Sequence, residues 1–327
     1  MKEIVASAPG KIILLGEHAV VYGYPAIALA ISISSKCEIQ ETVNGGIQID
    51  FKNFNQAFDF SNINDLILNL PTNYNQIRFL LINFKERFNI DLNKVKITFT
   101  SILFPNSGLG SSAAIAVALI SALNEYYNLN LEKKEISKYA FDMEKIVHGS
   151  PSGIDNTICT YGNMIFYQTG NFRFIKIPYE LKFLVTYTNI EHNTKMAIDQ
   201  IRLLQQKDPK KVEETFAKIG EITKEVENEL IANKDPNFAY IGKLMNRNQN
   251  LLSFLKVSNS NISEITNLAL KVGAYGSKLT GDGLGGCVIT LGKEEVLSKL
   301  LILLKQKGYN SYITSMDREG GKIEKKF

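Results

Sequence analysis

One glycine- and serine-rich segment reads Pro105-Asn-Ser-Gly-Leu-Gly-Ser-Ser-Ala-Ala114 and leads directly into a mostly apolar run. This pattern predicts a loop followed by the first turns of a buried helix. The backbone N–H groups of the loop would converge on one point, and the helix would add the positive end of its dipole there. Gly108 and Gly110 allow close approach of a ligand, and the Ser111 and Ser112 hydroxyls can bind phosphate oxygens or Mg2+. We therefore expect an anion site that accepts phosphate.

The same segment also has a plainer interpretation, in which a Gly-Ser turn precedes a core helix and a serine is its N-cap. Spacing alone gives the two interpretations about equal weight. The segment is not a Walker A loop, because Gly-x4-Gly-Lys-Ser/Thr occurs nowhere in the chain. A protein-kinase catalytic loop and Asp-Phe-Gly are absent too, which excludes both of these nucleotide-binding plans.

Length and composition predict a globular protein with two domains. The chain has 327 residues, whereas single hydrophobic cores stop growing near roughly 250–300 residues. The net charge of +4 is spread along the chain without basic clusters among aromatic residues, so we expect no nucleic-acid partner. The longest largely apolar stretch, 113–123, is too short to span a bilayer, and polar residues interrupt the N-terminus where a signal peptide would be apolar. We therefore expect a cytoplasmic protein without a membrane partner.

The cysteines and histidines give no sign of a disulfide framework or a transition-metal site. Cys37, Cys159 and Cys287 are far apart and form no Cys-x2-Cys pair, which is typical of free intracellular thiols. With three histidines in the whole chain, we do not expect a transition metal bound by protein ligands alone.

Periodicity divides the chain into two parts near residues 178–182, and we predict domains 1–181 and 182–327. The first part mixes strands at 4–8, 35–42 and 95–100 with helices at 74–88 and 131–148. The second part contains strands at 183–188, 287–291 and near 312–316, and helices at 194–206, 209–232, 238–255, 262–273 and 294–307. The predicted fold class is α+β.

Three polar residues near the N-terminus form a second candidate site. Lys11, Glu17 and His18 stand among apolar residues and are flanked by glycines that permit tight turns. Each of them alone would be an ordinary surface group or a satisfied partner beside a core strand. Three such residues within eight positions favour a functional site.

Glu144 and Asp155 flank the end of one predicted helix and the start of the next. The run Ser152-Gly-Ile-Asp155 fits the Ser-x-x-Asp capping pattern, which would make Asp155 a structural residue at the helix start. Spacing alone favours that interpretation. In the functional interpretation, Asp155 accepts a proton from a substrate hydroxyl and Glu144 helps to hold Mg2+, a cation that prefers oxygen ligands.

A third segment is richer in glycine than a hairpin requires. The stretch 276–286 contains five glycines and precedes a predicted strand. It is either a wide turn between strands or a backbone that approaches a ligand closely.

Taken in order, these segments resemble the three signature motifs of the galactokinase, homoserine kinase, mevalonate kinase and phosphomevalonate kinase (GHMP kinase) superfamily. Within it, Gly-Glu-His-Ala-Val-Val-Tyr-Gly at 16–23 and His-Gly-Ser-Pro-Ser-Gly-Ile-Asp at 148–155 look like mevalonate kinases. Galactokinases typically follow Gly-Glu-His with Thr-Asp-Tyr. The resemblance extends over the whole chain. It implies an N-terminal domain like ribosomal protein S5 domain 2, a ferredoxin-like C-terminal domain, and an active-site cleft between them.

The resemblance also implies ATP as co-substrate, Mg2+ as cofactor and mevalonate as the substrate that is phosphorylated. Asp155 would be the catalytic base, with Lys11 beside it, and Ser112 and Glu144 would bind Mg2+. Mevalonate would contact Glu17, His18, Thr194 and Lys195. The nucleotide would contact Ser101, Pro105, Asn106, Ser107, Gly108, Leu109, Gly110, Ser111, Ser112, Ala113 and Ala114.

The chain departs from the family pattern in two places. The third motif usually reads Thr-Gly-Ala-Gly-Gly-Gly-Gly, whereas this chain has Asp282 and Leu284. A carboxylate at position 282 would repel ATP phosphates unless it points outward or assists Mg2+. The phosphate loop carries Asn106-Ser107 where Gly-Ala is common. Neither change removes a predicted catalytic group.

Other functions remain open from the sequence. A sister kinase would act on phosphomevalonate, homoserine, a sugar or shikimate. A non-catalytic homologue would only sense a ligand, but it would not need Lys11, Ser112, Glu144 and Asp155 together. RNA binding through the S5-like half lacks a basic aromatic patch. A homodimer is an open alternative to a monomer.

Overall fold

Two β-sheets with helices packed against them organise the chain, which a computed structural model describes over residues 2–43, 45–104, 106–148, 151–232 and 235–326. The strands are β1 (Glu3–Leu15), β2 (Ala26–Glu41), β3 (Ile47–Phe51), β4 (Gln56–Phe60), β5 (Val95–Ser101), β6 (Met164–Gln168), β7 (Asn171–Ile175), β8 (Lys182–Tyr187), β9 (Gly276–Thr280), β10 (Cys287–Leu291), β11 (Ser311–Ser315) and β12 (Lys322–Lys326). The helices are α1 (Ile63–Asn69), α2 (Asn75–Phe88), α3 (Ser111–Tyr127), α4 (Lys133–His148), α5 (Ile154–Tyr161), α6 (Thr194–Lys207), α7 (Pro209–Ala232), α8 (Phe238–Phe254), α9 (Ser260–Val272) and α10 (Glu294–Gln306).

The first sheet is built around the long antiparallel pair β1 and β2. Its strand order is β12-β1-β2-β5-β3-β4, and β6 pairs with the start of β2 and with β7. The β3–β5 pair is parallel, and the other pairs are antiparallel. Helix α3 packs on β1 and β2 and is buried along 113–114 and 116–123. A helix that is apolar on every side must be covered on every side, which explains its place in the centre of the first half.

The second sheet has the order β11-β8-β10-β9 and is antiparallel throughout. Its central strands are buried on both faces. Leu184 and Val288 face the core formed with α6, α7, α9 and α10. Phe183 and Ile289, one position away, belong instead to the core that also contains the first sheet. Because successive residues of a strand point to opposite faces, the second sheet is joined to the first through a common core.

The α+β class is confirmed, and the predicted helices of the second half lie within two residues of the observed ones. The predicted strand at 4–8 is too short, since the observed strand β1 continues through Lys11 to Leu15. Residues 6–12 of this strand are all buried, so the alternation that marks a half-buried strand is missing. The end of the chain also returns to the first sheet, where β12 pairs with β1. The boundary between 181 and 182 stays a prediction.

Among the described residues, no helix has both the length and the apolar character that crossing a membrane requires.

Helix α8 approaches strand β9 so closely that two glycines are needed at the contact. A Cβ atom added to Gly242 would overlap the backbone of Tyr275, and one added to Gly276 would overlap the backbone of Gly242. We expect Gly242→Ala to lower the free energy of unfolding by about 1–3 kcal/mol, the usual cost of overpacking. Denaturant unfolding measures this. Lys243→Ala, at the exposed neighbouring position, is the control, and equal stability of the two variants would contradict the packing described here.

Candidate active site

Strand β1 and helix α5 bring together the two residues predicted to be catalytic. Lys11 lies on β1, directly after a register shift at Pro9 and Gly10. Its Nζ is 2.9 Å from Oδ1 of Asp155, the second residue of α5. The Lys11 side chain is 6% exposed and that of Asp155 is 32% exposed. The pair is therefore open to solvent from the aspartate side only.

The charge on Lys11 survives its burial. Burial by itself lowers the pKa of the ammonium, but the charge of Asp155 and the hydrogen bond to it outweigh this and raise the pKa above its ordinary value. The charge of Asp282 acts in the same direction. Lys11 is consequently a permanent cation at neutral pH, held beside the carboxylate of Asp155.

The capping interpretation of Asp155 is wrong. The N-cap of α5 is Gly153, with φ +85°, and no side chain caps the helix. Ser152 Oγ accepts only a long hydrogen bond of 3.3 Å from the Ile154 N–H. Asp155 is therefore not the third helical residue of a Ser-x-x-Asp cap, and its side chain is directed to Lys11 instead.

The predicted phosphate loop lies directly on this ion pair. The C=O of Leu109 accepts a hydrogen bond of 2.8 Å from the Lys11 N–H, and the C=O of Gly108 lies 3.4 Å from Lys11 Nζ. Gly110, with φ +68°, is the N-cap of α3, so the interpretation with a serine cap is wrong. A Cβ on Gly110 would lie 3.4 Å from Lys11 Cβ and 3.5 Å from Asp155 Oδ2. The start of α3 is thus open toward the pair only because residue 110 has no side chain.

The side chains of the loop turn away from this opening. Ser107 is buried and its Oγ donates to the C=O of Phe104 at 2.6 Å. Asn106 contacts Glu191 through its side chain, and Leu109, Ala113 and Ala114 are buried. Backbone groups, together with Ser111 and Ser112 in the first turn of α3, therefore form the face available to an anion.

Ser101, a further member of the predicted nucleotide site, lies at the end of a strand. Ser101 ends β5, and its Oγ lies 2.8 Å from that of Ser35 and accepts from the Leu103 N–H at 3.1 Å. Pro105 is outside the described residues, as are residues 149 and 150 of the second motif.

The glycines of the third motif allow neighbouring backbone segments to approach each other closely. A Cβ on Gly286 would lie 2.7 Å from the C=O of Ser107, and one on Gly285 would lie 2.5 Å from the C=O of Glu191. On the other side, a Cβ on Gly108 would lie 3.3 Å from the C=O of Thr280. The glycine-rich stretch therefore packs against the phosphate loop and supports it from behind.

The two predicted Mg2+ ligands lie on neighbouring helices. Glu144, near the end of α4, is buried, and Ser112 is in the first turn of α3. Burial raises the pKa of the Cys159 thiol, and the charges of Asp155 and Glu144 raise it further. Cys159 Sγ is 3.9 Å from the C=O of Gly110. Among the described residues, no three acidic, histidine or cysteine side chains form a metal-binding group.

Glu17 does not have the place that the substrate-binding prediction required. Its carboxylate forms an ion pair with Lys278, and both side chains are completely buried. Asn248 donates a hydrogen bond of 3.2 Å to the other carboxylate oxygen. A substrate in the cleft cannot reach this group, so the predicted contact is wrong. The sequence contained no signal for it, because Lys278 lies far along the chain in a strand of mixed composition.

His18 and Thr194, by contrast, both form hydrogen bonds with Asp282. The C=O of Asp282 accepts from His18 Nε2 at 2.9 Å, and the carboxylate of Asp282 accepts from the Thr194 hydroxyl. Burial lowers the pKa of His18, which keeps the ring neutral at pH 7. Lys195, next along α6, is exposed. The unusual residue of the third motif thus joins the two halves of the predicted substrate side.

Comparison with known proteins shows the family to which the chain belongs. The model of the GHMP kinases N terminal domain matches residues 75–163, and the model of the GHMP kinases C terminal domain matches residues 228–307. A mevalonate kinase of Thermococcus sibiricus is 33% identical over 98% of both chains. The chain belongs to the GHMP kinase family.

Two solved structures of mevalonate kinases have a fold similar to that of this chain. The crystal structure of the Methanococcus jannaschii mevalonate kinase superposes with a TM-score of 0.86 at 30% identity, covering 96% of this chain and 98% of that one. The L. major mevalonate kinase in complex with R-mevalonate superposes with a TM-score of 0.80 at 29% identity, covering 95% of each chain. The family resemblance and the two-domain kinase fold predicted from the motifs are confirmed.

The opening at Gly110 can be tested with a matched pair of glycines in this kinase. Gly110 and Gly170 both have positive φ, but nothing lies within 4 Å of a Cβ added to Gly170. Because an alanine in this backbone conformation costs about 1–2 kcal/mol at either position, we expect Gly110→Ala and Gly170→Ala to lower the melting temperature similarly. Only Gly110→Ala should reduce turnover, since its methyl group fills the space beside Lys11 and Asp155. Equal turnover of both variants would show that this space is not used.

Proposed function

We propose that this kinase transfers the γ-phosphoryl group of ATP to the C5 hydroxyl of mevalonate, forming 5-phosphomevalonate in isoprenoid biosynthesis. The observation that carries the proposal is the contact between Lys11 and Asp155 beneath the glycine loop 108–110. A cation, a carboxylate and a loop of backbone N–H groups are what phosphoryl transfer to an alcohol requires. The choice of mevalonate as the substrate rests on the relatives and solved structures that are named mevalonate kinase.

In the proposed reaction, Asp155 accepts the proton of the C5 hydroxyl as that oxygen attacks the γ-phosphorus and ADP leaves. The carboxylate is suited to this because its partner Lys11 stays charged and leaves the second oxygen, Oδ2, open to the cleft. Lys11 also stabilises negative charge that develops on the transferred group. Phosphoryl transfer depends mainly on such positioning and charge neutralisation rather than on covalent chemistry by the protein.

The phosphates of ATP would lie at the start of α3, where the backbone N–H groups of the first turn and the helix dipole favour negative charge. Ser112 and Glu144 would hold Mg2+. Their hydroxyl and carboxylate oxygens fit this cation, which usually takes only one or two protein ligands and completes its shell with phosphate and water. When bound, Mg2+ would neutralise part of the phosphate charge.

Mevalonate would lie on the other side of Asp155, against His18 and Thr194. Both residues form hydrogen bonds with Asp282, so their positions are fixed relative to each other. The exposed ammonium of Lys195, on the same first turn of α6 as Thr194, is available for the carboxylate of mevalonate. The cytoplasmic location and the homodimer stay predictions.

The role of Asp155 is tested by Asp155→Asn, which keeps the shape of the side chain but removes the proton acceptor. We expect turnover to fall by about 10²–10⁴, the usual contribution of a general base, while ATP binding changes little. ADP release in a coupled assay measures turnover, and calorimetry measures ATP binding. Asp142→Asn, which removes an exposed carboxylate paired with Lys145 on α4, is the matched control. Near-normal turnover of Asp155→Asn would rule out the assignment.

The cation site is tested by titrating Mg2+ after treatment with a chelator. We expect no turnover without the cation and full recovery on its return. Ser112→Ala and Glu144→Gln should each shift the half-saturating Mg2+ concentration upward by about tenfold, because each variant loses one oxygen ligand. An unchanged Mg2+ requirement in both variants would remove these residues from the site.

The identity of the alcohol is tested with a panel that contains mevalonate, phosphomevalonate, homoserine, galactose and shikimate. We expect mevalonate to give the highest kcat/KM. A higher value for another alcohol would reassign the enzyme to a sister activity, and ATP binding without turnover of any of them would support a ligand sensor.

A further inference from the structure

The backbone at His18 has a conformation that other residues must hold in place. His18 has φ +60° and ψ −47°, and the C=O of Glu17 accepts a hydrogen bond of 2.6 Å from the Ala19 N–H. A hydrogen bond between residues i and i+2 with these angles defines a classic γ-turn, which is rare and strained. Strain of this kind persists only where the surroundings over-determine it, and it is concentrated at functional sites.

The first residue of the turn, Glu17, is held by its buried ion pair with Lys278. Both side chains are completely buried, and Lys278 also donates to the C=O of Leu279 at 2.6 Å. Burial lowers the pKa of Lys278, although the charge and hydrogen bond of Glu17 oppose this. Glu17 belongs to the segment after β1, and Lys278 lies on β9 of the second sheet. The pair therefore connects the two sheets directly beneath the turn.

Strand β9 and its continuation contact β1 and the turn that follows β1 through three residues. Lys278 binds Glu17, the hydroxyl of Thr280 bonds to both the N–H and the C=O of Ile13, and the C=O of Asp282 accepts from His18. The γ-turn is thus held at two residues, by Lys278 at Glu17 and by Asp282 at His18.

We propose that Glu17 and Lys278 are positioning residues, whose buried ion pair holds the strained turn so that His18 is presented to the alcohol substrate. The proposal rests on the proposed function, because it assigns His18 to the alcohol side of the cleft. A buried ion pair is weak evidence for added stability, since replacing both partners with neutral groups is often without cost. We therefore assign the pair the task of holding the strained conformation at His18.

The test compares Glu17→Gln, Lys278→Met and the double variant Glu17→Gln/Lys278→Met. Lys278→Met should lose the most stability, because it leaves Glu17 buried without its cation. The double variant should recover the melting temperature of the parent. In it, the KM for the alcohol should still rise by about tenfold, since small displacements of a positioning group are costly, whereas the KM for ATP should stay within about twofold.

A second measurement does not depend on turnover. The chain has three histidines, so NMR can follow each imidazole during a pH titration. Burial lowers the pKa of His18 in the parent. In the double variant the ring should leave its contact with Asp282 and titrate closer to the ordinary value. The control is Glu264→Gln/Lys307→Met, which removes an exposed lysine–glutamate pair and should change neither the kinetics nor the His18 titration.

The outcomes separate this proposal from the proposed function. A parent protein that phosphorylates no member of the alcohol panel refutes the function, while the NMR titration still tests the turn. An active parent and a double variant with an unchanged KM and an unchanged His18 titration refute the positioning role. A double variant in which stability and both KM values change together, or failure of all three variants to fold, would show a purely structural pair and would likewise overturn the proposal.

Discussion

The buried ammonium of Lys11 is the constraint on which the site depends. A lysine removed from water is costly unless an anion compensates it at short distance. Asp155 supplies that anion, so the start of α5 must remain against β1. The C=O groups of Gly108 and Leu109 also bond to Lys11, so the phosphate loop must stay there as well. One residue thereby holds together three segments that are far apart in the sequence, and separating β1 from α5 would leave a buried ion unpaired.

The second sheet keeps this arrangement rigid through two kinds of contact. Its strands β8 and β10 direct one face into the core of the first sheet. The glycines that follow β9 pack their backbone against the backbone of the phosphate loop, where any side chain would force the two apart. Apolar burial therefore sets the distance between the sheets, and glycine sets the distance between the loops. Both contacts hold the second sheet against the site.

The sequence predicted the site better than it predicted the local structure around it. The resemblance of the three motifs to those of GHMP kinases implied that Lys11 and Asp155 meet at a glycine loop, whereas spacing alone favoured a capping role for Asp155. Helix starts were predicted where proline gives a local signal, as at Pro209. The course of β1 and the burial of Glu17 were missed because both depend on partners distant in the chain. A strand buried on both faces has no alternation, and a carboxylate in a motif does not reveal whether a lysine such as Lys278 will cover it.

Asp282 shows how a departure from a family pattern can be accommodated. A carboxylate free in the cleft would raise the energy of bound phosphate, yet this one accepts a hydrogen bond from Thr194 and lies 3.4 Å from Nδ1 of His192. Its charge also raises the pKa of Lys11, so it strengthens the cation that phosphoryl transfer needs. Because the carboxylate accepts the only hydroxyl proton of Thr194, that oxygen can offer only its lone pairs to a ligand. In the proposed arrangement of the site, Thr194 is therefore matched to a hydroxyl donor of the alcohol rather than to a carboxylate.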